Sequence, residues 1–344
     1  MTDQMSLPEG ADPARIQEAL ATLRAGRDRY PDNPRVRESL GKVLAQVGLL
    51  EEAEAEYRAA VGLPGADRDA YKRLAKVLRR RGLLAEALGV MAAAPKPAGD
   101  GANILIACIP KSGSSWLRVL LGSFEFLDAV QLSPLHDRRE QELDFMILNR
   151  KRERFFVAQQ HVRANRSTDF AVKNYNIATT VLVRSIPDAL VSARDHFAGR
   201  RPVAPQFYMD SRFKTWDEDR QYRFLLDFYV PWVVNFIATW WHADIDTLWL
   251  TYDLLRRDSE TAVRCVLEHA GFAVEAEAVQ GVVDRVNGEF RDKTLFNVGE
   301  VGRGAALPDP VHRRIRELCA YYPEIPFERL GLIGTAPATA SGTG

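Results

Sequence analysis

Cysteine is nearly absent from this chain. Cys108, Cys265 and Cys319 are spread through 344 positions, too few for a disulfide framework and without metal-ligand spacing. Net charge is absent too: 46 Lys and Arg balance 46 Asp and Glu, so nothing points to a nucleic-acid or membrane partner. No apolar run approaches the ~20 residues needed to span a bilayer. The start, MTDQMSLPEGADPARI, has no apolar stretch of the signal-peptide kind. A reduced, cytoplasmic protein is expected, and its length suggests two domains. Also missing is G-x-x-x-x-G-K-[ST], the loop of the common nucleoside-triphosphate enzymes.

What is present begins with a repeat. GKVLAQVGLLEEA (41 to 53) returns as AKVLRRRGLLAEA (75 to 87), a shift of 34 residues. Leu40 then meets Leu74, Gly48 meets Gly82 and Ala53 meets Ala87, with Ala19 one period earlier. Small residues at matched places let antiparallel helices approach closely, and glycine supplies the bend. Helix-turn-helix units at this period resemble the tetratricopeptide repeat, over roughly residues 12–95. Leu44 and Leu78 stand where that family often has Tyr. Two roles stay open: a structural cap or dimer contact, or a concave surface for a protein or carrier partner. The run KRLAKVLRRR (72 to 81) reads as a solvated helix face, and PKPAGDGA (95 to 102) as a linker.

After the linker, ILIACI is a short β-branched run of the buried-strand type, followed by PKSGSSW (110 to 116) and an apolar run at helical spacing. A strand, a tight loop and a serine-rich helix start make an anion site, because free backbone N–H groups and the helix dipole point at the ligand. Lys111 supplies a cation, Gly113 permits close backbone approach, Ser112, Ser114 and Ser115 add hydroxyls, and Trp116 offers a flat face for an adenine. A serine-capped helix after a strand is the plainer alternative.

PKSGSSW resembles the PKSGTTW loop of sulfotransferases that use 3′-phosphoadenosine 5′-phosphosulfate, where it binds the 5′-phosphosulfate end of the donor. VLVRSIPDALVSARDHF (181 to 197) resembles that family's strand-RxPxDxxxS-helix segment. The resemblance gives Arg184 and Ser192 the 3′-phosphate, chemistry that suits a guanidinium and a hydroxyl. The competing role for Arg184 is a salt bridge to Asp188. LFNVGEVGRGAALPDPVHRRIREL (295 to 318) resembles the late glycine-containing segment that closes over the 3′-phosphate. The family's basic pair there is Asn297-Val298 here, so Gly302 and Arg303 carry that contact. LWLTYDLL (248 to 255) resembles the strand ending in Tyr-Glu-Asp-Leu, which puts Tyr252 near the adenine and Asp253 in place of Glu.

Sulfuryl transfer needs a base for the attacking hydroxyl and a cation or proton donor for the leaving phosphate oxygen. The family places its base in a Lys-Thr-His segment at a strand end. FFVAQQH (155 to 161) is such a strand, which makes His161 the implied base. Gln159 stands at the lysine position, so Lys111 takes more of the leaving-group duty. Some relatives use a carboxylate, which leaves Glu125 in reserve. Residues 198–220, polar, aromatic and interrupted by prolines, suit a mobile lid. Arg200, Arg201 and Arg212 in them would favour an anionic or sugar-like acceptor. A pair of helices is expected around FLLDFYVPWVVNFIATWW, as core.

The expected architecture is a three-layer α/β domain with a parallel sheet, P-loop-like and of sulfotransferase type, over 103–332. A small all-α domain precedes it and a disordered tail, 333–344, follows. The implied activity is sulfuryl transfer to a hydroxyl or amine of an unidentified acceptor, a carbohydrate or other small metabolite, with no metal and no nucleic-acid partner. A P-loop kinase and a non-catalytic scaffold are the alternatives. The missing kinase motif opposes the first, while Gln159 and Asn297 favour the second.

Overall fold

The computed structural model describes residues 12–97, 99–133, 142–150, 152–199, 207–290 and 300–334. Arg200, Arg201, Asn297, Val298 and the tail from 335 lie outside them. The chain divides into two compact units, Met1–Pro97 and Ala98–Gly344.

The first unit is five helices: α1 (Pro13–Arg29), α2 (Pro34–Gln46), α3 (Leu50–Val61), α4 (Arg68–Arg80) and α5 (Leu84–Ala92). The 34-residue shift maps α2 onto α4 and the start of α3 onto that of α5. It also maps the capping side chain of Asn33 onto that of Asp67. Gly48 and Gly82 both take positive φ, 84° and 81°. Behind each, a leucine amide reaches back to close the helix end, Leu49 to Leu44 O at 3.0 Å and Leu83 to Leu78 O at 2.9 Å. Leu20, Leu40, Leu44, Leu74, Leu78, Ala53 and Tyr57 fill one core. The repeat extends to an ion pair that the apolar pattern does not reveal. Arg24 meets Glu52 at 2.7 Å, and 34 residues on Arg58 meets Glu86 at 2.6 Å. Helices repeating at this period are therefore present, preceding an α/β unit.

The second unit is built on five parallel strands in the order β2-β3-β1-β4-β5. They are β1 (Asn103–Cys108), β2 (Leu127–Val130), β3 (Phe155–Gln160), β4 (Ile177–Val183) and β5 (Thr247–Thr251). β1 is buried from Ile104 onward, as expected of a strand covered on both faces. α6 (Ser114–Leu121) follows β1; α7 (Phe145–Leu148) and α8 (Arg166–Asn174) flank β3. The crossovers β1-α6-β2 and β3-α8-β4 run in opposite directions along the sheet. Right-handed connection then puts α6 and α8 on opposite faces, which gives three layers. Chain direction thus reverses about β1, and a crevice at the carboxyl ends of β1, β3 and β4 is where such sheets bind ligands.

The remaining helices are α9 (Ile186–Gly199), α10 (Glu218–His242), α11 (Tyr252–Arg257), α12 (Ser259–His269), α13 (Ala276–Phe290) and α14 (Asp309–Cys319). The expected helix pair around FLLDFYVPWVVNFIATWW is one helix of 25 residues, α10, with Pro231 inside it. A proline there removes one backbone hydrogen bond, but Tyr229, Trp232, Phe236 and Trp240 on both sides of it are buried and hold the helix together. By length and composition α10 alone among the described helices could cross a bilayer, yet these side chains lie in the domain core.

Candidate functional site

Strand register explains how distant residues meet at the crevice. Ala107 pairs with Gln160, so Cys108 and His161 follow side by side, and His161 Nδ1 lies 2.9 Å from Cys108 O. On the other side Cys108 pairs with Leu182 and Val183 with Thr251. Arg184 therefore leaves β4 beside the loop and beside Tyr252.

The loop itself has two left-handed residues, Lys111 at φ 67° and Gly113 at φ 82°. Left-handed backbone beside a helix start turns successive N–H groups toward one point, an anion-binding concavity. The amides of Ser112, Gly113, Ser114 and Ser115 meet no acceptor among the described residues. Glycine at 113 has a second cause: a Cβ there would lie 2.7 Å from Tyr252 Cδ2. The Tyr229 hydroxyl, fully buried on α10, donates to Pro110 O at 2.9 Å and fixes the loop's entry.

The hydroxyls divide. Ser112 is completely buried, and its one hydroxyl hydrogen goes to Ile109 O at 2.7 Å; it shapes the loop and has no hydrogen left for a ligand. Ser114 is buried beside the Cys108 thiol, and Ser115 is exposed, 3.5 Å from Gln159 Oε1. Trp116 presents little of the flat face expected of it, being 5% exposed with the Arg256 guanidinium 5.5 Å from its ring centre. Gln159, the departure from lysine, thus stands at the loop as a neutral acceptor.

Arg184 gathers the segments that the sequence separates. Nη1 donates to Lys111 O at 3.2 Å and Nη2 to Glu300 O at 2.8 Å. Its guanidinium carbon lies 4.3 Å from the centre of the Tyr252 ring. Asp188 Oδ2 is 3.7 Å away, too far for a hydrogen bond. Arg184 Nε is buried with no partner among the described residues, a state that costs stability unless a ligand meets it. Ser192, two turns into α9, is also buried.

The late glycine segment lies against the start of α9. Gly302 N donates to Asp188 Oδ2 and Gly304 N to Asp188 Oδ1, both at 2.7 Å. A Cβ on Gly304 would lie 2.6 Å from the Asp188 nitrogen, so only glycine fits. Arg303 turns to Asp195, 2.6 Å from Oδ2. Burial pushes that carboxyl up, but its bonds from Arg303 and Arg194 hold it below the ordinary aspartate range.

The titratable groups differ in kind. Burial, seconded by the Lys111 charge, lowers the His161 pKa below the ordinary histidine range, against the opposing pull of Cys108 O. A carbonyl can only accept, so Nδ1 carries the proton of the neutral ring, leaving Nε2 as the basic nitrogen. Burial drives Cys108 the other way, to about 12, so its thiol is no nucleophile at neutral pH. Glu125 is not brought here. It precedes β2, which starts at Leu127, and in a parallel sheet that is the edge opposite the loop. Arg212 is gripped by Asp210, whose two oxygens take its Nε and Nη2, which removes its weight as a sign of an anionic acceptor.

No metal-binding group of three His, Cys, Asp or Glu exists among the described residues. No protein-family model and no curated protein matches the chain. Among solved structures, the chain is similar to mouse sulfotransferase SULT7A1 complexed with PAP, at 17% identity and a TM-score of 0.48, over 67% of this chain and 87% of that one. It is similar to retinol dehydratase in complex with androsterone and inactive cofactor PAP, at 11% identity and a TM-score of 0.44, over 69% and 82%. It is also similar to a sulfotransferase from Alicyclobacillus acidocaldarius, at 14% identity and a TM-score of 0.37, over 67% and 94%.

Proposed function

We propose that the α/β unit binds 3′-phosphoadenosine 5′-phosphosulfate and transfers its sulfuryl group to a hydroxyl or amine of an acceptor. One observation carries this reading. The Arg184 guanidinium bonds both the anion-binding loop and the late glycine segment, with its buried Nε still unpartnered. Two anion-binding positions at the carboxyl ends of the strands would suit a nucleotide with phosphate on two sides of its ribose. In the loop, the amides of residues 112 to 115 and the Lys111 ammonium would take the 5′ end; Arg184 and Ser192, with Arg303 beside them, would take the 3′-phosphate, while the one N–H of Gly302 stays on Asp188.

The acceptor oxygen attacks sulfur while the bond from sulfur to the phosphate oxygen breaks, and the SO3 group passes across in line. The acceptor proton goes to His161 Nε2, and the charge growing on the leaving phosphate oxygen meets Lys111. Gln159 adds no charge, so Lys111 carries more of this duty. The helical unit, in the cytoplasm, would hold a protein or carrier partner. Calorimetry without magnesium tests the donor assignment: adenosine 3′,5′-bisphosphate should bind at least about tenfold more tightly than ATP, the affinity equivalent of one charge-assisted contact. A preference for ATP would return the kinase, and no binding of either would return the scaffold.

A further inference from the structure

Asp188 reads in sequence only as a neighbour able to neutralise Arg184. Its surroundings give it different work. The carboxylate is 3% exposed and sits 3.7 Å from Arg184. Its two close bonds go elsewhere, one oxygen to Gly302 N and the other to Gly304 N. A carboxylate buried to this extent needs compensation, and it finds it in main-chain amides more than a hundred residues away. Arg184 completes the arrangement by donating to Glu300 O in the same turn. The turn is pressed close as well, since Gly304 leaves no room for a Cβ against Pro187 and Asp188.

We infer that Asp188 is a positioning residue, a latch that docks the 300–304 turn onto α9 and so confers preference for a nucleotide bearing a 3′-phosphate. The inference rests on the donor reading above and adds to it a residue with no contact of its own to the ligand. The carboxylate acts through geometry: one oxygen for each amide. Asparagine keeps the size of the side chain but offers one acceptor oxygen, and its NH2 group would oppose the second amide. Release of the turn should also free Arg303 and disturb the carbonyl that Arg184 Nη2 uses.

The test compares wild type with Asp188→Asn by two measurements on the full chain. Hydrogen exchange without nucleotide reads the latch directly; the Gly302 and Gly304 amides should exchange at least about tenfold faster in the variant. Calorimetry reads the consequence. Affinity for adenosine 3′,5′-bisphosphate should fall about tenfold while that for adenosine 5′-phosphate changes less than about threefold. Gly302→Ala is a second route should Asp188→Asn fail to fold. Gly302 sits at φ +86° with nothing within 4 Å of an added Cβ, so the change strains the turn without a clash and should give the same signature. Unchanged exchange, or equal loss for both nucleotides, overturns the inference. Wild-type protein that binds both nucleotides equally overturns the donor reading instead, and its selectivity role for Asp188 falls with it.

Discussion

Gly113→Ala makes the sharpest demand on the loop, because two separable terms act at one atom. The first is conformational: at φ +82° an L-residue pays a left-handed penalty of about 1–2 kcal/mol. The second is steric: the new Cβ would lie 2.7 and 2.8 Å from two atoms of the Tyr252 ring, distances that force the ring or the loop to move. Overpacking of this kind costs about 1–3 kcal/mol, so the total is about 2–5 kcal/mol. Gly331→Ala is the control. It has φ +69° and nothing within 4 Å of its Cβ, and should cost only the first term. All six tryptophans fall in the second unit, so denaturant unfolding followed by tryptophan fluorescence reports this unit alone. Combining Gly113→Ala with Tyr252→Ala should recover about 1–3 kcal/mol relative to the sum of the single losses. If Gly113→Ala costs no more than Gly331→Ala, or the double variant is additive, the ring does not bear on the loop and the packing argument fails.

Two predictions concern the proposed chemistry. His161→Ala should lower turnover about 10²–10⁴-fold while bisphosphate affinity stays near wild type by calorimetry; full turnover would remove His161 as the base. In wild type the base must be neutral and its pKa is depressed, so activity should hold through neutral pH and fall only below the ordinary histidine range, about 6.5. Lys111→Ala should lower turnover more than donor affinity. It also removes a positive charge that depresses His161, so its acid limb should move to higher pH. An unmoved limb would separate the two residues.

How far the sequence could be read depended on what each residue does with its neighbours. β1, β3, β4 and β5 announced themselves as short apolar runs, and the loop after β1 followed from its glycine, lysine and serines. These are local properties, carried by residue type. Ser112 shows where residue type misleads: it belongs to a loop rich in hydroxyls, yet its hydrogen is spent three residues back, on Ile109 O. FLLDFYVPWVVNFIATWW misleads in the opposite sense: it reads as a pair of helices, yet core packing keeps it one helix across Pro231. The ion pairs Arg24–Glu52 and Arg58–Glu86 repeat at the same 34-residue shift as the leucines, but surface charge varies too freely along helices for that spacing alone to mark a pair.

The deepest loss of information lies with acceptors on the main chain. Arg184 Nη1 and Nη2 donate to the carbonyls of Lys111 and Glu300, and every residue has a carbonyl, so no side-chain pattern could name them. Asp188 is the same case reversed, a carboxylate whose partners are amides. Its partners did leave one trace, because both amides belong to glycines, and Gly302 and Gly304 stand two apart for reasons now visible. One takes a left-handed φ and the other has no space for a Cβ. A pair of glycines flanking an arginine, far along the chain from an aspartate at a helix start, is thus the mark of a turn held by a buried carboxylate. The arginine between them is held in place as well, its guanidinium on Asp195 about two turns further along the same helix as Asp188. The segment is bound to α9 at both points, and Asp188 holds two of its amides, so loosening that carboxylate should be felt along the whole of residues 300–304.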